Sequence, residues 1–272
     1  YTYPITMPAP PGGKAPDVAL NYSSASMDGL SSASNNQPSL VGDGWSLGAG
    51  GFIERSYKAC AQALGGNNGQ TKTGDLCWNG DNIHVAFGSS SGPLVLDKAS
   101  NTWHPKKDDG SRIEKFGTAT NGSSGDEYWK ITAKDGSQYF FGLNHLPGWQ
   151  QGNAETQSKW TVPVFGNFAG QPCNKPTFAA SSCAQAWRWN LDLAIDPHGN
   201  ATTYYYTPET NYYGLNVNYQ TPGTVYTRGG YLNRIEYGLN TQAGGLYATP
   251  TARVVFDTGE RCLPSGNVTC AP

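Results

Sequence analysis

The segment from Pro38 to Tyr57 constrains the fold of this chain more than any other stretch. It reads PSLVGDGWSLGAGGFIERSY, with glycines on both sides of one bulky side chain. Glycine adopts backbone angles that other residues avoid, so a turn through Asp43 and Gly44 can bend the chain sharply around Trp45. The run that follows reads as extended, and Arg55 in it is expected to pair with Asp43 or with a neighbouring strand. We therefore predict a structural joint here and not an active site.

Composition places the chain in the all-β class. Of 272 residues, 35 are glycine, 16 are tyrosine and only 14% are charged, which favours twisted antiparallel strands joined by tight turns. The 18 Lys and Arg residues nearly balance the 20 Asp and Glu residues, so no positive field would attract nucleic acid. No apolar run reaches the roughly 18 residues that cross a bilayer. We expect no nucleic-acid partner, no membrane span and no cofactor.

Six cysteines fall into three pairs that are local in sequence. This clustering favours the disulfides Cys60–Cys77, Cys173–Cys183 and Cys262–Cys270 among about 15 connectivities. Disulfides form in oxidising compartments, so we expect a secreted or cell-surface protein. The alternatives are six free thiols in a cytosolic protein, or zinc, which is disfavoured because no spacing is Cys-x-x-Cys. The chain opens without a signal-peptide pattern, which indicates a mature or excised segment.

Alternation of apolar and polar residues predicts a hairpin around residue 195. One face of the first strand carries Trp187, Trp189, Leu191, Leu193 and Ile195, and the other carries Arg188, Asn190 and Asp192. This strand is expected to be half-buried. A cluster of turn formers ends it, namely Asp196, Pro197, His198, Gly199 and Asn200. The second strand resumes at 201–206, and we expect the His198 ring to hydrogen-bond within the turn.

Further hairpins extend this pattern along the chain. One is predicted at 128–132 and 138–141, with a type I′ turn at Asp135-Gly136, and another turns at 109–110. Other strands are predicted at 18–22, 83–87, 94–97, 160–164, 231–237 and 253–256. Together they predict a large twisted antiparallel sheet of hairpins, arranged as a meander over 1–272. An internal boundary near 144–160 is the one division that the sequence suggests.

Several stretches, taken in order, resemble one superfamily of repeat proteins. They are DVALNYSSASMDG at 17–29, GDGWSLGAGGFIERSYKAC at 42–60, TGDLCW at 73–78, EYWKITAKDGSQYFFG at 127–142, AWRWNLDLAIDPHGNATTYYY at 186–206, GGYLNRIEYG at 229–238 and ARVVFD at 252–257. They are similar to the N-terminal shell region of actinobacterial Rhs-repeat-associated proteins, in the Rhs/YD-repeat superfamily, and to shell segments of insecticidal toxin-complex B components. The Asp-x-x-Gly-Asn turn followed by Tyr-x-Tyr is the nearest match to the YD hairpin.

The resemblance implies a structural role. Such families build a long β-sheet that spirals into a hollow cocoon, often around a toxin domain. The implied partners are the remainder of the chain's own shell, or a toxin or adhesion module that the shell encloses or displays. Regular tandem YD repeats are absent from this sequence, which implies that the segment precedes them and that further shell strands follow. The family's self-cleaving aspartates have no counterpart here, so no catalytic residue is carried over.

A free-standing secreted carbohydrate-binding module is the main alternative. Four aromatic residues lie near polar loops and could stack on sugar rings, namely Trp149, Trp160, Tyr212 and Tyr213. Aromatic rings also fill cross-strand positions in a wide sheet, and this structural interpretation is favoured. A cell-surface glycan therefore remains only an alternative partner.

A glycoside hydrolase is the enzymatic form of that alternative. It would need two carboxylates about 5–10 Å apart in a groove, and Asp108–Asp109 and Asp126–Glu127 have the required residue type. Adjacent acids point to opposite faces of a strand, and both pairs are typical of solvated turns. Other acids, at Asp75, Asp81 and Asp97, are scattered without calcium-loop spacing. We therefore predict no catalytic and no metal residues.

Overall fold

The computed structural model describes residues 1–26, 39–88, 90–219 and 222–259. In these ranges the chain is all-β, as predicted. The strands are β1 (Thr2–Ile5), β2 (Val18–Tyr22), β3 (Trp45–Gly48), β4 (Gly51–Arg55), β5 (Lys58–Ala59), β6 (Leu76–Cys77), β7 (Ile83–Phe87), β8 (Ser90–Asp97), β9 (Thr102–Pro105), β10 (Arg112–Phe116), β11 (Tyr128–Thr132), β12 (Gln138–Phe141), β13 (Lys159–Phe165), β14 (Ser182–Ile195), β15 (Asn200–Tyr213), β16 (Thr224–Asn240) and β17 (Ala252–Val255). Short 3-10 helices lie at Ser24–Ser26, Cys60–Gln62, Phe178–Ala180 and Leu215–Val217.

The strands form a small sheet and a large one. The small sheet has the order β1-β2-β3, and the large one has 14 strands. Neighbouring strands pair antiparallel throughout the described ranges except for β6 and β13, which run parallel. Most pairs are neighbours in the chain, as the predicted meander of hairpins requires.

The large sheet closes on itself, a feature that the predicted meander of hairpins did not include. Eight strands form the closed part, in the order β4, β7, β8, β9, β10, β11, β12 and β14. The long strand β14 closes it, because Arg188–Asn190 pair with β4 and Leu191–Ile195 pair with β12. A closed sheet of eight strands has an interior that side chains can just fill. Buried side chains form the core of the closed part.

Aromatic side chains fill this interior. Trp129 lies between Trp103 and Trp189, with ring centroids 5.3 and 5.9 Å away and edge-on geometry in both pairs. All three rings are buried, together with Ile53 and Phe141. Edge-on aromatic pairs contribute about 0.5–1.5 kcal/mol each beyond the burial of their surface. Trp103, Trp129 and Trp189 are thus core residues.

Strand β14 is buried on both faces, whereas the alternation predicts a half-buried strand. Trp189 and Leu191 face the core as expected, but Asn190 and Asp192 on the opposite face are also buried. The segment between β12 and β13 covers them: the Asn190 amide donates to the Ser158 carbonyl at 2.9 Å, and the Ser158 hydroxyl donates to Asp192 at 2.7 Å. Polar residues on a strand therefore lie here in a second, hydrogen-bonded layer.

The β11–β12 hairpin has the predicted strands and a different turn. The Gly136 amide donates to the Ala133 carbonyl at 3.0 Å, and the Ala133 amide donates to the Ser137 carbonyl at 2.9 Å. Only Gly136 in this loop has a positive φ, of 84°, whereas a type I′ turn requires two such residues. The connection is a type I turn followed by a glycine bulge. The β14–β15 turn repeats this pattern, with Gly199 at φ 80°.

Candidate functional site

A cleft of about 400 Å³ lies where the ends of several strands meet the N-terminal segment. Residues 12–17 form one wall, and the β11–β12 and β14–β15 hairpins form the others. Its polar lining residues are Lys14, Asp17, Asp135, Ser137, Tyr139, Asp196, Asn200, Thr202 and Tyr204. Clefts of this volume are large enough for small molecules. This cleft is therefore the first candidate binding site of the molecule.

The electrostatics of the cleft favour ionised carboxylates. Backbone and side-chain hydrogen bonds from Ser137 lower the pKa of Asp135. Burial opposes ionisation of Asp196, but hydrogen bonds from Asn200 and from the His198 amide lower its pKa overall. A glycosidase needs one carboxylic acid with a raised pKa to protonate the leaving group, and these two carboxyls are shifted the other way. The cleft can accept hydrogen bonds, but these two groups do not supply a general acid.

The predicted turn residues at 196–200 come together at the rim of this cleft. The Asp196 carboxylate accepts hydrogen bonds from the backbone amides of His198 and Asn200, both at 2.9 Å, and from the Asn200 side chain at 2.7 Å. Gly199 occupies the left-handed position. His198 joins the turn through its backbone, whereas we expected its ring to do so. His198 is exposed.

The turn at Asp43 and Gly44 lies in the segment that the sequence predicts to be a structural joint. Gly44 has a φ of 74°, and a Cβ atom there would come within 2.6 Å of the Tyr22 ring. Trp45 packs against the Tyr22 ring at 5.2 Å and lies 6.4 Å from that of Tyr1. The bend thus holds the small sheet together through aromatic contacts. Pro38, where the segment begins, lies outside the described residues.

Arg55, at the end of β4, is a buried cation with two acidic partners. Its guanidinium donates to Glu127 at 2.6 Å and to Asp81 at 2.8 Å, and its side chain is 0% exposed. It also lies over the rings of Trp78 and Trp189, at 4.8 and 5.1 Å from their centroids. Burial by itself lowers the pKa of Arg55, but Glu127 and Asp81 more than offset this and raise it. The cluster ties β4 to the segments before β7 and β11.

The four aromatic residues proposed for sugar stacking have different environments. Trp160 is 2% exposed, so it has no free ring face. Trp149 is covered by the His145 ring, which stacks on it at 3.9 Å. Tyr213 packs edge-on against Tyr226, and Tyr212 is 57% exposed. A flat stacking surface built from all four rings is therefore not formed.

Two of the expected disulfides lie in the described part of the chain. Cys60–Cys77 joins the start of a 3-10 helix to β6, with Cα atoms 4.9 Å apart. Cys173–Cys183 joins a loop to β14, with Cα atoms 5.8 Å apart. Cys262 and Cys270 lie outside the described residues. The first bridge is buried with Phe165 in a small apolar cluster, so it acts as a structural crosslink.

At least one member of each acid pair considered for catalysis has structural partners. Asp109 accepts hydrogen bonds from Ser111 and Ser90, which lower its pKa to about 2. Glu127 is the partner of Arg55. Asp75 accepts a hydrogen bond from the Asn216 amide at 3.1 Å, and Asp97 accepts one from the Ser100 hydroxyl at 2.6 Å. Among the described residues, no group of three or more His, Cys, Asp or Glu side chains could hold a metal ion.

Sequence reasoning missed the buried carboxyl of Asp192. One of its oxygens, Oδ2, accepts hydrogen bonds from the Ser158 hydroxyl, the Asn144 amide and the Thr156 hydroxyl, at 2.7, 3.0 and 3.1 Å. Burial raises its pKa to about 7, although these bonds oppose the shift. The other oxygen, Oδ1, has no partner among the described residues. An acid within an otherwise aliphatic strand, LDLAI, is the one sequence signal that could have revealed it.

The comparisons with known proteins found similar folds among solved structures. No protein-family model and no curated protein matches this chain. The N-terminal domain of effector protein SpvB from Salmonella typhimurium strain LT2 is 23% identical, with a TM-score of 0.43, over 98% of this chain and 76% of that chain. TcdB2-TccC3 is 18% identical, with a TM-score of 0.47, over 97% of this chain and 11% of that chain. The Photorhabdus luminescens Tc holotoxin pore is 17% identical, with a TM-score of 0.43, over 100% of this chain and 11% of that chain.

These likenesses concern the fold. At such TM-scores they carry no conclusion about activity or partners, and the chain spans only 11% of the two toxin-complex chains. The sources named are Salmonella typhimurium and Photorhabdus luminescens, so the actinobacterial part of the sequence resemblance has no support. No helix in the described ranges is long and apolar enough to cross a membrane.

Proposed function

We propose that this chain is a structural β-shell segment of a secreted Rhs/YD-type protein, and that the shell encloses or displays a toxin or adhesion module. The ordered series of sequence motifs supports the family. The disulfides Cys60–Cys77 and Cys173–Cys183 support an oxidising compartment. The observation that carries the structural role is the long β15–β16 ribbon.

The β15–β16 ribbon extends beyond the strands that flank it in the described structure. Strands β15 and β16 pair over 14 positions, from Asn200 opposite Asn240 to Tyr213 opposite Thr224. On its other edge β15 pairs with β14 only through Ala201–Thr203, and the Tyr206 amide donates to the Thr156 carbonyl at 2.8 Å. An isolated two-stranded ribbon is marginal in water, and an unpaired strand edge is a template for a further strand. We infer that neighbouring strands of a larger shell cover this edge.

Apolar side chains at the end of the ribbon support the same proposal. Tyr212 and Val225 lie opposite each other across the two strands, and both are more than half exposed. Val217 and Tyr219, in the connection between the strands, are exposed as well. Exposed apolar groups beside an open edge are typical of surfaces that another chain segment covers. The covering segment would come from the rest of the shell or from its cargo.

Association of the purified chain tests this role. We expect the wild-type chain to associate with rising concentration in sedimentation velocity, through the open edge of the ribbon. The double variant Tyr212→Lys with Val225→Lys should remain monomeric, because charges at an edge oppose strand pairing. Val95→Lys is the matched control: Val95 is 65% exposed on β8, and β8 is paired on both edges. A wild-type chain that stays monomeric over the whole concentration range would contradict the proposal.

A further inference from the structure

The His145 ring lies between a hydroxyl group and a carboxylate. Thr120 Oγ1 is 3.1 Å from its Nδ1 atom, and Glu155 Oε1 is 3.0 Å from its Nε2 atom. An ionised carboxylate only accepts hydrogen bonds, so Nε2 carries the hydrogen and donates it to Glu155. In the neutral ring Nδ1 then has no hydrogen and accepts one from the Thr120 hydroxyl. This is the hydroxyl, imidazole and carboxylate order of a nucleophile, its base and a positioning group.

The ring and the carboxylate are both held in place. The His145 ring stacks on Trp149 with its plane within 10° of parallel. Asn144 precedes it in a left-handed conformation, with φ 63°, and its side-chain amide donates to Glu155 at 3.0 Å. Gln157 donates to the same carboxylate, also at 3.0 Å. Hydrogen bonds from His145 and Asn144 lower the pKa of Glu155, so the carboxylate stays ionised.

Hydrogen-bond donors follow Thr120 directly in the sequence. Thr120 is exposed, and the backbone amides of Asn121 and Gly122 donate to no acceptor within the described ranges. The Lys159 ammonium donates to the Asn121 carbonyl, and a Cβ atom on Gly122 would lie 3.4 Å from it. Free amides and a cation next to a nucleophile can stabilise the oxyanion that forms during acyl transfer.

We propose that Thr120, His145 and Glu155 form an esterase-type site for small carboxylic esters. His145 Nδ1 takes the hydroxyl proton while Thr120 Oγ1 bonds to the carbonyl carbon. The bond from that carbon to the alcohol oxygen then breaks, and the leaving alcohol takes the proton from His145. Water hydrolyses the acyl-threonine through the same proton transfers and restores the hydroxyl. Glu155 is a positioning residue that holds the tautomer of the ring.

This activity is separate from the proposed shell role, because it depends on the loops that carry Thr120, His145 and Glu155 and not on the exposed end of the β15–β16 ribbon. Thr120 and His145 would touch the substrate, whereas Glu155 acts through His145. The exposed position of Thr120 leaves room for a small acyl group. The site would therefore survive substitutions at Tyr212 and Val225.

Hydrolysis of p-nitrophenyl acetate by the purified chain tests the site. We expect steady release of nitrophenolate, and labelling of Thr120 by a fluorophosphonate probe, located by peptide mass spectrometry. Thr120→Val and His145→Gln should each lower kcat by about 100-fold or more, while Thr120→Ser should retain turnover. Thr118→Val is the matched control, because Thr118 is exposed in the same loop and should leave turnover unchanged.

The positioning role of Glu155 has its own readout. Glu155→Gln should lower kcat more than it changes KM, because the ring loses the partner that holds its tautomer. The thermal midpoint of unfolding should stay near that of the wild type, and Glu155→Asp should recover part of the rate. A wild-type chain with neither turnover nor label on Thr120, or Thr120→Val with the wild-type rate, would overturn the proposal.

Discussion

Asp192 shows how a single residue can make stability depend on pH. Its carboxyl is 0% exposed on β14, and burial raises its pKa from the ordinary 3.8 to about 7. The folded chain therefore holds this proton more tightly than the unfolded chain does. Stability from this group is fully present below the unfolded value and is lost as pH rises through the folded value. The window is therefore about pH 4 to 7.

We predict that Asp192→Asn removes this pH dependence. The wild-type chain should lose on the order of 4 kcal/mol of unfolding free energy across the window, from about 1.4 kcal/mol for each pKa unit. Urea unfolding at pH 4 and pH 8 measures the difference. Asp135→Asn, at an exposed turn carboxylate, is the control. Its unfolding free energy should change with pH as that of the wild type does. An equal change of unfolding free energy with pH in the wild type and in Asp192→Asn would refute the assignment of this pH dependence to Asp192.

Arg55 shows that the burial of an ion pair decides its importance. Its guanidinium is enclosed, whereas Glu127 and Asp81 keep 18% and 35% of their side-chain surface exposed. Removing the cation leaves two acids near a buried space, which costs about 3 kcal/mol when part of their charge remains solvated. The cost comes mainly from leaving the two acids with Lys115 as their one remaining cation in the described ranges, 3.4 Å from each.

We predict that Arg55→Met destabilises the fold by about 3 kcal/mol in chemical denaturation. Methionine keeps much of the apolar stem of the side chain, so the change reports mainly on the charge. Arg228→Met is the control, because the Arg228–Glu209 pair is largely exposed and such pairs contribute about 0–1 kcal/mol. Similar losses in the two variants would mean that the buried cluster has no special role.

At the scale of elements, the hairpins depend on one glycine in each turn. Gly199 has a φ of 80°, and a Cβ atom there would lie 2.7 Å from the Thr241 hydroxyl. We predict that Gly199→Ala costs about 1–2 kcal/mol, since the left-handed conformation strains other residues by that amount. Differential scanning calorimetry would show a lower midpoint. Gly74→Ala is the control, with open space at its Cβ position, and a midpoint as low as that of Gly199→Ala would argue against backbone strain.

At the scale of the whole molecule, the two sheets should differ in local stability. All four residues of β1 are exposed, and β1 pairs only with β2. The closed part of the large sheet surrounds the buried tryptophans, so its amides open only when the core unfolds. We predict that native-state hydrogen exchange is fast in β1 and slow in β14. Equal protection of β1 and β14 would show that the small sheet unfolds only with the core.

Local patterns explain why much of the strand order was predictable. The bounds of β2, β7, β11 and β12 match the sequence prediction because alternation and flanking turn formers act within a few residues. The cysteine pairs Cys60–Cys77 and Cys173–Cys183 are also local, as their spacing indicated. The predicted type I′ turn at Asp135-Gly136 was wrong, because an Asp-Gly sequence suits both a type I′ turn and a type I turn with a glycine bulge.

The features that the sequence did not predict depend on contacts between residues distant in sequence. Arg188 lies opposite Glu54 across β14 and β4, and nothing near either residue indicates the other. The cleft likewise combines Asp17, Asp135 and Asp196 from separate segments. The Thr120, His145 and Glu155 cluster joins two loops that have no shared motif. Such pairings depend on which arrangement buries the most surface, and a linear pattern does not contain that information.

The sequence by itself determined an all-β chain of hairpins with local crosslinks and tight glycine turns, because these features follow from the conformational preferences of neighbouring residues. Only the tertiary structure decided that the sheet closes, that Asp192 is buried behind β14, and that a hydroxyl, an imidazole and a carboxylate meet at His145. The physical reason is that closure and burial depend on the packing of whole strands. A side chain on the outer face of a strand is solvated or buried according to which distant segment covers it.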